Sequence, residues 1–189
     1  CEILAQEWDG IIPGLNAKKY DMIVASMGVT EQRKKQVAFT KKYKNTESQF
    51  AAKKGTFPDT SPAALKGQRI GVQRGSIQDS FLTQNYPDSV IVRYDKTSDP
   101  EMDLLVGRVD LLFANRVTSL VGFLTKPDAK DFGLVGQTYS GGVLGDGNAI
   151  ALRKDDTELL KEVNAALDAI MANGTYDKIT AKYFKFKLM

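Results

Sequence analysis

An alternation of strand-like and helix-like segments is the feature of this chain that most constrains its fold. Short apolar runs, often rich in β-branched residues, are followed by small or polar turn residues and then by helix-compatible segments. The patterns predict strands at 1–5, 22–25, 37–43, 50–52, 68–73, 90–94, 109–114, 134–136 and 148–152, and helices at 11–19, 31–37, 63–66, 77–84, 100–106, 116–124, 157–171 and 175–184. Because strands that alternate with helices form parallel sheets covered by helices, the sequence predicts an α/β fold.

Two breaks in this alternation predict the domain organisation. A polar stretch at 45–48 and a glycine-rich return at 140–147 enclose a complete α/β block. Such breaks between apolar runs are where domain boundaries fall. We therefore expect two lobes, one formed by 1–45 with 142–189 and the other by 46–141, joined by two crossings with a ligand cleft where the lobes meet.

Composition excludes several classes of function. The 189 residues carry a net charge of +3 that is spread along the chain, without the basic stripe typical of nucleic-acid binding. No apolar run reaches the length of about 20 residues that spans a bilayer. Since the chain contains no histidine, Ser-His and Cys-His catalytic pairs are excluded. We expect no metal and no cofactor.

Cys1 is the single cysteine, so it cannot form a disulfide within this sequence. Three interpretations stay open: a half-cystine with its partner upstream, a lipid-bearing first residue, or a buried thiol.

The stretch from Ser26 to Arg33 is the first candidate site. It follows a strand predicted to be buried and leads into a helix-compatible segment opened by Thr30, a good N-cap residue. Free backbone N–H groups at such a turn favour an anion, and the guanidinium of Arg33 can grip a carboxylate with two hydrogen bonds. The alternative is an ordinary surface helix whose Arg33 points to water.

A second strand, turn and helix start occurs at 68–84, where Arg74, Gly75 and Ser76 form the turn. It lacks the glycine spacing and the lysine of a phosphate loop, so a carboxylate is the expected occupant. Asn115 ends another predicted strand, where ligands bind in α/β sheets. It is equally suited to capping the following helix, and both roles are compatible.

These residues carry a resemblance to a known family. The segments that match, in order, are 8–13 (WDGIIP), 18–21 (KKYD), 26–30 (SMGVT), Arg33, 71–72 (GV), 75–76 (GS), 107–110 (GRVD), 152–156 (LRKDD) and 173–176 (NGTY). Over essentially its whole length the chain resembles the polar amino acid family of bacterial periplasmic solute-binding proteins. The resemblance implies the two-lobed type II fold, no enzymatic activity, a signal peptide upstream, and a monomer that delivers its ligand to an ABC transporter permease.

The resemblance also assigns roles by position. Ser26 and Arg33 would bind the α-carboxylate of the ligand together with the backbone N–H groups of Gly28 and Ile77. The other residues implied in ligand binding are Trp8 as an aromatic wall, Ser76 at the start of the second helix, and Gln73 and Gln78 at the distal end. Met27, Asn115, Ser140 and Gly141 are implied by the runs 26–28, 114–115 and 140–142, which resemble the opine-binding branch of the family.

Two departures from the family bear on the ligand. Members that bind cationic amino acids carry aspartate where this chain has Asn115, and serine where it has Gly28. An amide in place of a carboxylate tolerates an anion, and the missing side chain leaves room beside the α-carbon. Both changes resemble the opine-binding branch, with octopine-like and nopaline-like ligands. The alternative is a binder of plain polar or cationic amino acids: arginine, lysine, ornithine or histidine.

A third departure concerns the N-terminus. Family members have a strand, an aromatic-bearing loop and a helix before the position of Cys1, which matches the second half of a disulfide found in many of them. We therefore expect the first lobe to be incomplete at its N-terminus. Other functional classes with similar lobes are cyclohexadienyl or arogenate dehydratases and receptor sensor domains. The expected cleft residues include no carboxylate or histidine for acid–base chemistry, which argues against the enzyme.

Overall fold

The computed structural model of the chain describes residues 1–45, 47–184 and 186–189. The chain divides into two compact units. Unit 1 comprises Cys1–Leu4, Gly10–Asn45 and Gly145–Met189, and unit 2 comprises Ala5–Asp9 and Thr46–Leu144. The predicted lobe boundary falls on residue 46, which lies outside the described residues.

Unit 1 is built on a three-stranded antiparallel sheet in the order β1-β8-β2. Its strands are β1 (Met22–Gly28), β2 (Ala38–Phe39) and β8 (Asn148–Leu152), and its helices are α1 (Ile11–Asn16), α2 (Glu31–Lys34), α6 (Thr157–Ala172) and α7 (Thr175–Thr180). The central strand β8 is buried along its whole length. On α6, Leu167 packs with Ile150 and Leu152, so the amphipathic helix covers this strand.

Unit 2 is built on a five-stranded mixed sheet in the order β5-β4-β6-β3-β7. Its strands are β3 (Ser48–Lys53), β4 (Arg69–Gln73), β5 (Val90–Tyr94), β6 (Leu111–Asn115) and β7 (Phe132–Tyr139). Strand β4 runs parallel to β5 and β6, whereas β3 is antiparallel to β6 and β7. The helices of this unit are α3 (Ile77–Asn85), α4 (Ser98–Leu105) and α5 (Arg116–Thr118), which continues as one π-helical turn at Ser119–Phe123.

An aromatic core fixes α3 on the unit 2 sheet. The rings of Phe50 and Phe113 lie 4.5 Å apart, and Tyr86 packs edge-on to Phe50 at 5.5 Å. On the side of α4, a Cβ added at Gly71 would meet Cβ of Pro100 at 2.9 Å. Glycine at this position therefore allows the close approach of α4 to β4.

Several sequence predictions about elements are wrong. Residues 1–5 form no strand, and Ile3 is 95% exposed, because no described strand pairs with this segment. The segment at 63–66 is a series of turns, and the strand predicted at 37–43 is reduced to Ala38–Phe39. The helix predicted at 175–184 ends at Thr180, and Gly174, with φ of 74°, is its N-cap residue.

Two further expectations are corrected by the surroundings of β1. The sheet of unit 1 is antiparallel, although the alternation of strands and helices predicts parallel pairing. The strand predicted to be buried at 22–25 carries Val24, which is 61% exposed.

Cys1 is exposed, so the buried-thiol interpretation is wrong. No helix in the described part of the chain is long and apolar enough to cross a bilayer.

Candidate functional site

Ser26 lies in a bulge of β1. The antiparallel register pairs Ile23 with Ala151 and Met27 with Ala149, so that residues 24–26 stand opposite the single residue Ile150. Ser26 itself has φ of 53°, in the left-handed region that a serine rarely adopts. Bulges that redirect a side chain are frequent next to functional sites, and this one re-aims Ser26.

Three side chains hold Ser26 in this conformation. Its backbone N–H donates to the hydroxyl of Tyr43 at 3.0 Å, and its backbone carbonyl accepts from Nδ2 of Asn148. The Nζ of Lys44 donates to its Oγ at 3.0 Å. A strained conformation persists where the surrounding structure over-determines it, as these contacts do.

Arg33 is turned into unit 1 and does not point to water. Its residue is 9% exposed, and its Nη1 donates to the carbonyl of Gly28 at 3.0 Å. Burial lowers the pKa of the guanidinium to about 10. The alternative of a solvent-facing Arg33 is therefore wrong.

The start of α2 is capped as predicted. Oγ1 of Thr30 accepts from the backbone N–H of Arg33 at 3.2 Å, but α2 ends at Lys34 and is a single turn. The dipole of so short a helix is weak, so the helix start alone offers an anion little stabilisation. Met27 is fully buried, so its side chain belongs to the core of unit 1.

The predicted second turn is confirmed in unit 2, and Ser76 caps α3. Its Oγ accepts from the backbone N–H of Asp79 at 3.1 Å, and Oδ2 of Asp79 accepts from the backbone N–H of Gly75 at 3.1 Å. The pair resembles a capping box but is not reciprocal, because Asp79 accepts from the residue before the N-cap, whereas the backbone N–H of Ser76 donates to the carbonyl of Gln73 at 3.3 Å. The carboxylate of Asp79 also pairs with Arg93 at 2.8 Å, so an acidic group already occupies part of the helix start.

Trp8 and the two glutamines surround this helix start within unit 2. Nε1 of Trp8 donates to the carbonyl of Gly75 at 3.4 Å. Ile77 is buried in the core of the unit, and Gln78 is buried with its Nε2 donating to Oγ of Ser48 at 2.9 Å. Nε2 of Gln73 donates at 3.4 Å to the backbone carbonyl of Asp95.

Asn115 caps the helix that follows it. Its Oδ1 accepts from the backbone N–H groups of Val117 and Thr118 at 3.1 and 3.4 Å. The capping role predicted from the sequence is confirmed. The cap uses only the oxygen of the side-chain amide, so its nitrogen remains a hydrogen-bond donor that the cap does not engage.

The register of the unit 2 sheet brings several of the predicted ligand-binding residues to the same end of strands β3, β6 and β7. Ser48 pairs with Asn115 on one side and with Tyr139 on the other, and it bonds to Gln78. Ser140 and Gly141 follow Tyr139 directly. Gln78, Asn115 and the start of the 140–147 loop are therefore grouped around a buried serine.

Sequence reasoning missed the residues that hold the candidate groups within each unit. They are Tyr43, Lys44 and Asn148 in unit 1, and Ser48 and Asp79 in unit 2. The spacing of Ser76 and Asp79 is a capping-box signature that could have identified Asp79. No local signal points to Asn148, which is 122 residues from Ser26.

Comparison with known proteins identifies the family. Residues 1–186 match the model for bacterial extracellular solute-binding proteins, family 3. An L-arginine-binding protein from Pseudomonas aeruginosa is 42% identical over 98% of this chain and 73% of its own length. The lysine/arginine/ornithine-binding periplasmic protein of Escherichia coli is 35% identical over 100% of this chain and 74% of its own length. A histidine-binding periplasmic protein of Salmonella typhimurium is 36% identical, with 98% and 73% covered.

Solved structures agree with this assignment. An ancestral arginine-binding protein bound to glutamine superposes with a TM-score of 0.89 at 35% identity, covering 98% of this chain and 80% of the other. An ancestral arginine-binding protein bound to arginine superposes with a TM-score of 0.88 at 34% identity, covering 97% of this chain and 80% of the other. The predicted periplasmic binding protein fold is confirmed, and the matched relatives are solute-binding proteins, not enzymes. The chain belongs to family 3 of the bacterial extracellular solute-binding proteins.

Proposed function

We propose that this protein works in the periplasm as the binding component of an ABC transporter and captures a polar amino acid through its α-carboxylate. The observation that carries the proposal is the geometry of unit 1, where a bulge exposes Ser26 four residues before the capped turn that holds Arg33. A hydroxyl and a guanidinium are the donors that a carboxylate requires.

The relatives support arginine-like ligands. Their names specify L-arginine, lysine, ornithine and histidine as ligands of those proteins. All of these are α-amino acids, so they share the carboxylate that the unit 1 residues suit. Each charged hydrogen bond to that group contributes about 1.5 to 3 kcal/mol to affinity.

Isothermal titration calorimetry tests the carboxylate assignment. L-arginine, L-lysine and L-histidine are titrated in parallel with agmatine, which is arginine without its carboxylate. We expect at least one amino acid to bind and agmatine to bind more weakly than arginine by 100-fold or more, since about 3 kcal/mol or more is lost. Equal affinity for arginine and agmatine would contradict the assignment.

Variants locate the carboxylate donor. Arg33→Met removes the guanidinium and is expected to abolish arginine binding. Arg108→Met is the matched control, because Arg108 is exposed and pairs with Asp103 at 3.2 Å in unit 2. An Arg33→Met variant that folds and binds arginine as tightly as the control would exclude Arg33 from the site.

An opine is the second candidate ligand, and two residues favour it. Asn115, which caps α5 through its oxygen, presents an amide donor at the position where family members that bind cationic amino acids have a carboxylate. Gly28 contributes no side chain. An amide accepts the extra carboxylate of an N-substituted amino acid without charge repulsion. Octopine and nopaline therefore belong in the same titrations. Tight binding of arginine and lysine with no binding of either opine would contradict this interpretation.

A further inference from the structure

Lys44 is buried in unit 1 beside Ser26. The residue is 6% exposed, and its Nζ lies 3.0 Å from Oγ of Ser26. Its backbone carbonyl accepts from the backbone N–H of Asn148 at 2.7 Å, which fixes the main chain at this point. Within the described residues, no carboxylate forms an ion pair with this ammonium group.

A buried ammonium without a carboxylate partner is unfavourable for folding. Charged side chains leave water at a cost of several kcal/mol unless they are paired. Burial lowers the pKa of Lys44, in keeping with that cost. A methionine or leucine would fill the same volume without it, so packing alone does not account for a lysine here.

The direction of the hydrogen bond specifies what Lys44 does to Ser26. An ammonium group has three donors and no acceptor, so the hydroxyl of Ser26 must accept from it. The hydroxyl proton of Ser26 is not used in this contact. The backbone N–H and carbonyl of Ser26 are also engaged, with Tyr43 and Asn148.

The remaining donor of Ser26 is therefore its hydroxyl proton, and the residue is exposed. A hydroxyl that accepts from a cation is polarised and becomes a stronger donor. Its natural partner is an acceptor that carries negative charge.

We propose that Lys44 is a positioning residue, which commits the Ser26 hydroxyl to donate to the ligand carboxylate and adds a positive charge beside that hydroxyl. This inference rests on the proposed function. It adds the residue that makes the Ser26 hydroxyl select an anionic group over a neutral one. A ligand with a carboxylate at this position gains from Lys44, and one with a neutral amide does not.

The test compares L-arginine with L-argininamide, in which a neutral amide replaces the carboxylate. Lys44→Met removes the ammonium group and Lys44→Gln keeps a neutral donor. We expect both variants to weaken arginine binding by about tenfold or more, as for the loss of a charge-assisted contact, with less than about a twofold change for argininamide. Lys42→Met is the control, since Lys42 is in unit 1 and its ammonium group pairs with Asp146 at the surface.

A double-mutant cycle with Ser26→Ala distinguishes action through Ser26 from a general effect of charge. The effect of Lys44→Met on arginine affinity should shrink when Ser26 is alanine. Equal losses for arginine and argininamide, or no loss for either substitution at Lys44, would overturn the inference. If the wild-type protein binds no amino acid or opine of the panel, the proposed function itself fails, which is a different result.

Discussion

Replacing Asn115 by aspartate should shift the relative affinity from opines towards amino acids with a free α-ammonium group, while leaving the fold unchanged. In the structure, Oδ1 of Asn115 accepts from the N–H groups of Val117 and Thr118. A carboxylate oxygen accepts from the same two donors, and aspartate is as good an N-cap residue as asparagine. The second carboxylate oxygen then takes the place of the amide nitrogen, so that a donor becomes a charged acceptor.

The magnitude follows from this exchange. An amino acid with a free α-ammonium group gains a charged hydrogen bond, which contributes about 1.5 to 3 kcal/mol and raises affinity about 10- to 150-fold. In an opine, that nitrogen bears a substituent that contains an additional carboxylate. Aspartate repels this carboxylate, so octopine affinity should fall. The free energy of unfolding should change by less than about 0.5 kcal/mol because the cap is kept.

Calorimetry with L-arginine and octopine on wild type and Asn115→Asp measures both changes. Asn115→Ala serves as the control for the cap, since losing it lowers the free energy of unfolding by about 0.5 to 2 kcal/mol in urea denaturation. If Asn115→Asp leaves the ratio of arginine to octopine affinity unchanged, the amide does not face the substituted nitrogen and the reasoning is refuted.

Two further predictions concern the stability of unit 2. Ser76→Ala should lower the free energy of unfolding by about 1 kcal/mol in urea denaturation because the N–H of Asp79 loses its acceptor. Ser76→Thr keeps a hydroxyl acceptor and should retain most of the wild-type stability. Hydrogen bonds from Arg69 hold the pKa of Asp110 below its ordinary value of 3.8, so the stabilisation is present above that pH and is lost as pH falls through the lowered pKa. Asp110→Asn should therefore be less stable than wild type at pH 7, with the difference shrinking in denaturation curves recorded toward pH 3; a constant difference would contradict the linkage.

The elements that sequence reasoning located well are those specified by local residues. In unit 2, β4, α3 and β5 lie within one or two residues of their predicted bounds. Each has its own signal: β-branched residues in the strands, and a serine cap at the start of the helix. Such signals do not depend on the rest of the chain.

The elements that were misjudged depend on distant partners. Residues 1–5 have the composition of a strand, but pairing requires a neighbouring strand that the described residues do not supply. Strand β2 keeps only two residues because its ladder with β8 covers Ala38 and Phe39. Propensity is a weak guide where tertiary pairing decides the outcome.

The candidate site combines both situations. Residue types predict Ser26 and Arg33 as candidate donors for a carboxylate, since hydroxyl and guanidinium chemistry is independent of the fold. The bulge that exposes Ser26 could not be predicted, because it arises from the pairing of β1 with β8, more than 120 residues later in the sequence. Lys44 became relevant for the same reason: in the sequence it is one of many lysines, and only its burial against Ser26 distinguishes it from the others. A surface lysine carries its charge at little cost. A buried lysine that forms no ion pair among the described residues carries a charge that the fold does not need. That is the physical reason to propose that the ammonium group of Lys44 acts on the ligand.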